Sequence, residues 1–369
     1  MIPSENPSSL LQEIVRMFYL QRCGEALQPE YAGDFAHPAC HTAPSRIYGT
    51  ESRISVPGGW HDAGDYGRYT APAAKAVSDL LLAYEAAPSL FPDETGIPES
   101  GNGIPDVLDE ARWEIEWMLR MMRPDGAVYH KVTCAHFCGM IPPHLEQEET
   151  ILSPVSTTAT GSVCGALALA SRIYQDYDSA FAQSCRKAAR LAYSFLSSSP
   201  PLPFHNPPGI ETGEYDDACD TDERFFAAAS LFAATGESMF LADAKELLRK
   251  ALPISFGWED MAGYGYIACL RSPFAAQDGA FALALREALL AEADRLVVRS
   301  DGNSYGVSLN EPFPWGSNMY LLNHTILIGE ANRLRPSERY ANAVQRQLNY
   351  IFGNNPLSIC YVTGFGNQS

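Results

Sequence analysis

The chain has 369 residues, of which 46% are hydrophobic, enough for one large domain or two ordinary domains with a buried core. Its formal net charge of -18 argues against binding to nucleic acid or to an anionic membrane surface, whereas a neutral polysaccharide would not be repelled. Nine cysteines cannot all pair, no apolar run is long enough to span a bilayer, and the first residues lack the pattern of a signal peptide.

Ten helical segments are predicted along the chain. The clearest covers residues 104–122, where apolar residues recur at helical spacing and Pro105 suits a first turn. Few segments alternate with the period of two that marks strands, so the pattern predicts an all-α protein. The other predicted helices are 8–23, 71–87, 156–175, 179–198, 222–235, 238–252, 273–298, 317–333 and 338–352.

The segments between these helices carry most of the Gly, Pro, Asp and aromatic residues, and we expect function to lie in them. They are 40–70, 124–155, 199–221 and 299–316. The helix-loop-helix unit repeats at roughly 50–60 residues, which predicts helical hairpins closed into a ring with the loops around a cleft. Similar helices flank the proline-rich stretch 197–209, so we interpret it as a surface loop within a single domain, 1–369.

The stretch from Gly58 to Tyr69 contains Asp62 and Asp65 on a glycine-rich loop beside aromatic residues. Carboxylates can act as general bases toward water, aromatic rings stack on sugars, and glycines let the backbone bend tightly. By spacing alone, two Asp residues near a Gly could equally form a turn or a calcium loop.

Two sets of thiols and imidazoles could bind metal. The first set suits tetrahedral zinc and consists of Cys23, Cys40, His41 and His61. The second set is crowded into five residues, Cys134, His136 and Cys138, and we interpret these as ordinary loop or core residues. An acidic stretch could be a solvated loop or helix N-terminal charge, and it includes Asp216, Asp217, Asp220, Asp222 and Glu223.

Several segments in order resemble glycoside hydrolase family 9, particularly the bacterial branch whose catalytic domain often follows an immunoglobulin-like module. The matching segments are 21–24, 37–41, 58–69, 102–106, 129–133, 222–224, 315–318 and 361–366, and the likeness covers nearly the whole chain. The resemblance implies an (α/α)6 barrel that hydrolyses β-1,4-glucans with inversion at the anomeric carbon. It makes Asp65 the general base, with Asp62 helping to hold the attacking water.

The general acid is missing from this assignment. The family's acid is a Glu beyond the segment that matches 361–366, but the sequence stops at Ser369. We therefore expect a catalytic domain truncated at its C-terminus, without its last helix and without an N-terminal immunoglobulin-like module. Glu311 is a weak alternative acid because its surroundings do not match the motif. Two other functions stay open: a carbohydrate-binding protein without turnover, and an exo-acting glucosidase or glucosaminidase.

The resemblance also implies metals, substrate contacts and a location. Structural zinc is implied at the Cys23, Cys40, His41 and His61 set, and calcium at Asp222 and Glu223 with Asp260. His130 and Trp315 lie in matching segments, and Tyr215 and Trp258 lie in loops, so we expect these four to contact the sugar, although each could be a packed aromatic. The expected substrate is a β-glucan polysaccharide or oligosaccharide, and the expected location is secreted or periplasmic.

Overall fold

The computed structural model describes residues 7–250 and 252–366, which fall into two compact units. The first unit is Ser8–Lys250. It contains eight helices, the first of which begins one residue before the unit, at Pro7. These are α1 Pro7–Leu20, α2 Pro29–Ala32, α3 Thr70–Ala86, α4 Asp106–Arg120, α5 Thr157–Ile173, α6 Ser179–Ser198, α7 Thr221–Thr235 and α8 Ser238–Leu248.

Helices α5 and α7 form the interior of the first unit. Every residue of α5 from Thr157 to Ser171 is buried, whereas α6 and α8 bury only one face. Such all-round burial follows from the small and apolar sequence of α5. Two glycines let α7 approach closely: a Cβ at Gly161 would lie 2.5 Å from Glu223 Cβ, and one at Gly165 would lie 2.3 Å from Phe226 Cδ1.

Seven short strands lie between the helices of the first unit. They are β1 Ser45–Ile47, β2 Arg53–Ile54, β3 Arg68–Tyr69, β4 Val128–Tyr129, β5 Lys131–Thr133, β6 Ile151–Leu152 and β7 Val155–Ser156. Five form a sheet in the order β2-β1-β6-β5-β3, and β4 pairs with β7. The antiparallel β3–β5 pair sets Tyr69 opposite Lys131, which brings the 58–69 stretch beside the strand that follows His130.

The second unit contains four helices among its described residues. They are α9 Ala262–Arg271, α10 Gly279–Gly302, α11 Ser317–Leu334 and α12 Glu338–Ile351. Helix α10 packs on α11, and α11 packs on α12. A cluster of Val307, Leu321, Tyr350 and Ile351 forms one of its apolar cores.

All ten predicted helices have a counterpart in the structure, with ends that differ by a few residues. Helix α9 is not among the predicted helices, because Gly263 and Gly265 make its sequence typical of a loop. The structure explains one of these glycines: a Cβ at Gly263 would lie 2.2 Å from Ser255 O. The short strands are also absent from the prediction, since two or three residues cannot display a period of two.

Candidate active site and metal centre

The turn that carries both aspartates is closed by its own backbone and fastened to the end of α1. Asp62 N donates to Gly67 O at 2.9 Å, which closes the turn. On its N-terminal side, His61 N donates to Gln21 O and Cys23 N donates to Gly59 O, both at 2.8 Å. The turn is therefore fixed in position by main-chain hydrogen bonds.

Glycine is required at two positions of this turn for different reasons. Gly59 has a φ of +81°, and a Cβ there would lie 2.8 Å from Trp117 Cγ. Gly67 has no positive φ, but its Cβ would lie 2.9 Å from Asp65 Oδ2 and 2.8 Å from Thr133 Cγ2. A side chain at Gly67 would displace the Asp65 carboxylate directly.

Asp65 is buried, and only one of its two carboxylate oxygens accepts a hydrogen bond from a described residue. Its Oδ2 accepts a hydrogen bond of 2.5 Å from the Tyr69 hydroxyl. Its Oδ1 is buried and has no hydrogen-bond partner among the described residues. A buried carboxylate oxygen without a donor is costly, and it is suited to accept a proton from a water molecule.

Asp62 is solvent-exposed, and its Oδ2 accepts a hydrogen bond of 2.7 Å from the Tyr215 hydroxyl. Crowding by surrounding protein atoms raises the pKa of Asp62 to about 6, Tyr215 opposes this rise, and the charge of Asp65 adds to it. The rings of Tyr69 and Tyr215 lie 4.7 Å apart, so the two hydroxyl donors form one packed unit.

Lys131 donates hydrogen bonds to the segment just before Tyr215. The buried Lys131 Nζ donates to Thr212 O at 3.2 Å, to Thr212 Oγ1 at 3.1 Å and to Gly213 O at 2.6 Å. Tyr215 itself has a φ of 49°, which is uncommon for a non-glycine residue. Burial lowers the pKa of Lys131 to about 8, while the charges of Asp65 and Glu214 oppose this.

His130 is buried behind the same segment, and both of its ring nitrogens are occupied. Its Nε2 donates to Glu214 O at 3.0 Å, its Nδ1 lies 2.8 Å from Ser156 Oγ, and its ring stacks on Phe204 at 3.8 Å. Burial lowers the pKa of His130 to about 3, so the ring is neutral. The structure thus places His130 where it supports the Tyr215 segment, and its predicted contact with sugar stays a prediction.

The predicted zinc ligands converge in the structure. One donor atom from each of Cys23, Cys40, His41 and His61 lies within 4.8 Å of the others. Sulfur at about 2.3 Å and nitrogen at about 2.1 Å from a tetrahedral zinc ion are about 3.6 Å apart. The Cys40 Sγ to His61 Nε2 distance is 3.6 Å. The chemistry and spacing of these donors fit zinc.

Glu146 orients one of these imidazoles, and no sequence motif marks it. His41 Nε2 lies 2.9 Å from Glu146 Oε2, with both side chains almost fully buried. His41 Nδ1 is buried without a hydrogen-bond partner among the described residues, so it is the nitrogen available to a metal. A carboxylate on the distal nitrogen of a ligating histidine is a common support for zinc sites.

The set Cys134, His136 and Cys138 does not gather into a metal site among the described groups. Cys134 groups instead with His41 and Glu146, and His136 is exposed beside Glu148. Cys138 Sγ contacts Gly64 O at 3.3 Å.

The sequence of residues 8–369 matches the family described as glycosyl hydrolase family 9. The chain belongs to this family. It is 35% identical to a cellodextrinase of Butyrivibrio fibrisolvens over 100% of the chain and 71% of that protein. It is also 35% identical to endoglucanase D of Acetivibrio thermocellus over 94% of the chain, but it spans only 57% of the length of that relative.

Solved structures of the family agree. AaCel9A in complex with cellobiose-like isofagomine has a TM-score of 0.93 at 41% identity, covering 98% of this chain and 70% of that one. A zinc-binding triple mutant of endoglucanase J30 has a TM-score of 0.91 at 30% identity, with coverage of 98% and 70%. The predicted family, its all-α (α/α)6 fold and the predicted enzyme class, a glycoside hydrolase of the cellulase type, are confirmed.

Two acidic groups of this family 9 chain have oxygen ligands suited to a divalent cation. Asp217 joins the predicted Asp222 and Glu223, with donor atoms within 4.8 Å. Burial and the charges of Asp222 and Asp217 raise the pKa of Glu223, and neither of its carboxyl oxygens has a donor among the described residues. Asp260 belongs to the second unit, and its part in a calcium site stays a prediction. The other group was not predicted from the sequence and consists of Asp93, Asp106 and Asp109.

The two predicted tryptophan contacts lie in the second unit. Trp315 is 96% exposed, and Trp258 is half-buried. Trp315 is directly followed by Gly316, the N-cap of α11. Full exposure of an indole ring is uncommon for a soluble protein surface and leaves Trp315 available to a ligand.

A recess of about 160 Å³ lies beside the 58–69 turn. It is lined by Asp62, Tyr69, Trp60 and Glu114, among others. Glu114 is buried, its Oε2 has no partner among the described residues, and burial raises its pKa well above the usual range. In the sequence, its position on the amphipathic helix α4 does not distinguish it from an ordinary helical residue. Within the described part of the chain, no helix has the length and apolar character needed to cross a membrane.

Proposed function

We propose that this chain hydrolyses the β-1,4-glucosidic bonds of cellulose or a related β-glucan with inversion, using Asp65 as the general base and Asp62 to hold the attacking water. The observation that supports this most is that only one carboxylate oxygen of Asp65 accepts a hydrogen bond from a described residue. Tyr69 fixes one oxygen, and Oδ1 is left without a partner among the described residues, beside Asp62 on the same turn.

In this mechanism the tyrosine hydroxyls keep the two carboxylates in place. Tyr69 donates to Asp65 Oδ2, so Oδ1 receives the proton that the water loses as it attacks the anomeric carbon. Asp62, held by Tyr215, accepts a hydrogen bond from the other O–H group of that water. An inverting enzyme needs its acid about 6.5–9.5 Å from its base, so these neighbouring aspartates share the base side. The acid, a Glu following the 361–366 segment in the family, is not assigned to a residue of this chain.

Tyr215, Trp258 and Trp315 are the proposed sugar contacts, because their rings offer apolar faces and Tyr215 is already adjacent to Asp62. His130 contributes through Glu214 O, next to Tyr215 in the chain. The proposed site of action is outside the cytoplasm, where polymeric glucan is found.

Cys23, Cys40, His41 and His61 are the proposed ligands of a structural zinc ion, and Asp217, Asp222 and Glu223 those of a calcium ion. Zinc would link the end of α1 to the 58–69 turn, which carries Asp62 and Asp65 and is called the catalytic turn below. The link would form because His61 is adjacent to Asp62. Calcium would neutralise the buried Glu223 at the N-terminus of α7. Neither metal takes part in the chemical step.

The test is hydrolysis of cellohexaose by the wild-type chain and by Asp65→Asn. We expect the wild type to release products whose initial anomer is inverted, and Asp65→Asn to lower kcat by about 100- to 10,000-fold. The exposed Asp34→Asn is the matched control and should retain full activity. Equal activity in Asp65→Asn, or retention of configuration, would contradict the proposal. Product lengths over time distinguish endo from exo action.

The metals are tested by elemental analysis of the protein purified without chelator. We expect about one equivalent of zinc, and loss of that zinc in Cys23→Ser. Less than a tenth of an equivalent in the wild type would exclude the zinc assignment. Calcium is tested by a calcium-dependent rise in melting temperature that Glu223→Gln abolishes.

A further inference from the structure

A loop beside the catalytic turn exposes three large apolar side chains, Phe137, Met140 and Leu145. Residues 134–146 follow β5, and within this loop Phe137 is 60% exposed and Met140 fully exposed. Exposed apolar groups that cluster on a soluble protein often mark a binding surface. In the sequence, this segment stands out only for its cysteines and histidine.

The backbone that presents these side chains is fastened at three points. Cys138 Sγ donates to Gly64 O at 3.3 Å, and the Tyr66 hydroxyl donates to Ile141 O. At the end of the loop, Glu146 Oε2 lies 2.9 Å from His41 Nε2. Phe137 and Met140 are thus exposed on a held backbone, so little backbone conformational entropy is lost when a ligand contacts them.

These attachments place the backbone at Phe137 and Met140 next to the turn that carries the proposed catalytic residues. Gly64 lies between Asp62 and Asp65, and Phe137 is the neighbour of Cys138, which contacts Gly64. Met140 is likewise the neighbour of Ile141, which contacts Tyr66. Consecutive Cα atoms are about 3.8 Å apart. Phe137 and Met140 are therefore each one residue away from a contact with the catalytic turn.

We propose that Phe137 and Met140 form an additional glucan-binding wall, in which the phenyl ring stacks on the apolar face of a glucose unit and the thioether packs on its C–H groups. The inference rests on the proposed function, since it requires a β-glucan over Asp62 and Asp65. An aromatic ring gives a flat and rigid contact, and the flexible, polarisable methionine adapts to the edge of the sugar.

The test uses the Asp65→Asn protein, which binds substrate without consuming it, titrated with cellohexaose in a calorimeter. Phe137→Ala and Met140→Ala, each added to this background, should raise the dissociation constant by about 3- to 10-fold. Met239→Ala, which removes a 55% exposed methionine from α8, is the control and should bind like its parent. Unchanged binding in both variants and in their double combination would overturn the proposal.

Further measurements separate the ways in which the test could fail. If the wild-type chain cleaves cellohexaose but the variants bind normally, only the inference fails. If the wild type neither cleaves nor binds any β-glucan, the proposed function fails with it. Phe137→Leu, which keeps an apolar side chain, should lose less affinity than Phe137→Ala and guards against misfolding. If sedimentation velocity shows that the double variant loses self-association while sugar binding is unchanged, the surface joins two copies of the chain and the proposal is wrong.

Discussion

At the scale of single residues, the proposed chemistry depends on two tyrosines. Tyr69 and Tyr215 each donate to one oxygen of a different aspartate, and their rings pack together. This arrangement fixes the direction of both carboxylates while leaving Asp65 Oδ1 open. The tyrosine hydroxyls stay protonated over the working range, because burial raises the pKa of both.

Tyr215→Phe tests the link between a hydroxyl and the ionisation of Asp62. The hydrogen bond from Tyr215 lowers the pKa of Asp62, which stands at about 6, so its removal should raise that pKa. Because the proposed mechanism needs the Asp62 carboxylate, activity falls as pH drops through this value. We expect the acidic limb of kcat/KM to move upward by about half a pH unit or more. Tyr31→Phe is the control, and an unmoved limb in Tyr215→Phe would contradict the prediction.

Lys131 should contribute to the pH dependence of stability. Its pKa is about 8 in the folded chain and about 10.4 when unfolded, so the unfolded chain binds more protons between these values. The free energy of unfolding should therefore gain up to about 3 kcal/mol from this group as pH rises from about 8 to about 10.4. Chemical denaturation of the wild type and Lys131→Met across this window measures the difference. Parallel curves for the two proteins would refute the assignment.

At the scale of elements, four segments that are distant in sequence meet at the proposed metal centre: the end of α1, residues 40–41, residues 59–61 and the 134–146 loop. The end of α1 pairs with residues 59–61, and the 134–146 loop contributes Glu146 to His41. Tyr66 packs its ring 5.0 Å from His61 and donates its hydroxyl to Ile141 O. The proposed metal centre thus contacts both the catalytic turn and the loop beside it.

Glu146→Ala should weaken zinc binding although Glu146 is not a ligand. Loss of the carboxylate frees the His41 ring to rotate and lowers its basicity, which we expect to raise the zinc dissociation constant by about 10- to 100-fold. Competition with a chromophoric chelator measures this directly. Glu148→Ala, at an exposed position two residues further along the chain, should leave zinc affinity unchanged. Equal affinity in the two variants would show that Glu146 does not support the site.

Two helical glycines should respond in opposite ways to replacement by alanine: Gly165, at the contact between α5 and α7, and Gly329 in α11. A Cβ at Gly165 would lie 2.3 Å from the Phe226 ring, so Gly165→Ala should destabilise the first unit by about 1–3 kcal/mol. A Cβ at Gly329 in α11 would meet nothing within 4 Å beyond the backbone of its own helix, so Gly329→Ala should be neutral or stabilising by up to about 1 kcal/mol. Thermal unfolding of both variants decides the matter, and a stable Gly165→Ala would disprove the close packing.

At the scale of the whole molecule, the net charge of -18 acts on the substrate before any contact forms. A neutral glucan does not respond to this field, whereas an anionic derivative is repelled until salt screens the charge. The chain therefore has a built-in preference between substrates of identical backbone chemistry.

Salt should separate these two substrates. We expect kcat/KM on carboxymethyl cellulose to rise several-fold between about 10 mM and about 200 mM NaCl, as the screening length falls from about 30 Å to below 10 Å. On cellohexaose the same change should have little effect. A parallel salt response on both substrates would show that the charge acts on the protein and not on its encounter with substrate.

The sequence predicted the helices and the site residues better than the side chains that hold those site residues in place. The helices follow from periodicity, and the roles of Asp62, Asp65 and the four proposed zinc ligands were predicted from segments that resemble the family. Glu146 and Lys131 acquire their roles through contacts across large sequence separations, such as the 105 residues between His41 and Glu146. No local pattern marks such partners. The exposure of Phe137 and Met140 also depends on the tertiary arrangement.

The hydrogen bond from Tyr215 to Asp62 spans 153 residues, whereas all four proposed zinc ligands fall within the first 61. During synthesis at about 5–20 residues per second, Tyr215 leaves the ribosome roughly 8 to 30 s after Asp62. The nascent chain therefore has all four proposed zinc ligands and both aspartates well before Tyr215 is synthesised. An intermediate of this kind would hold zinc but lack the hydroxyl on Asp62, so metal loading and catalytic competence are separated in time.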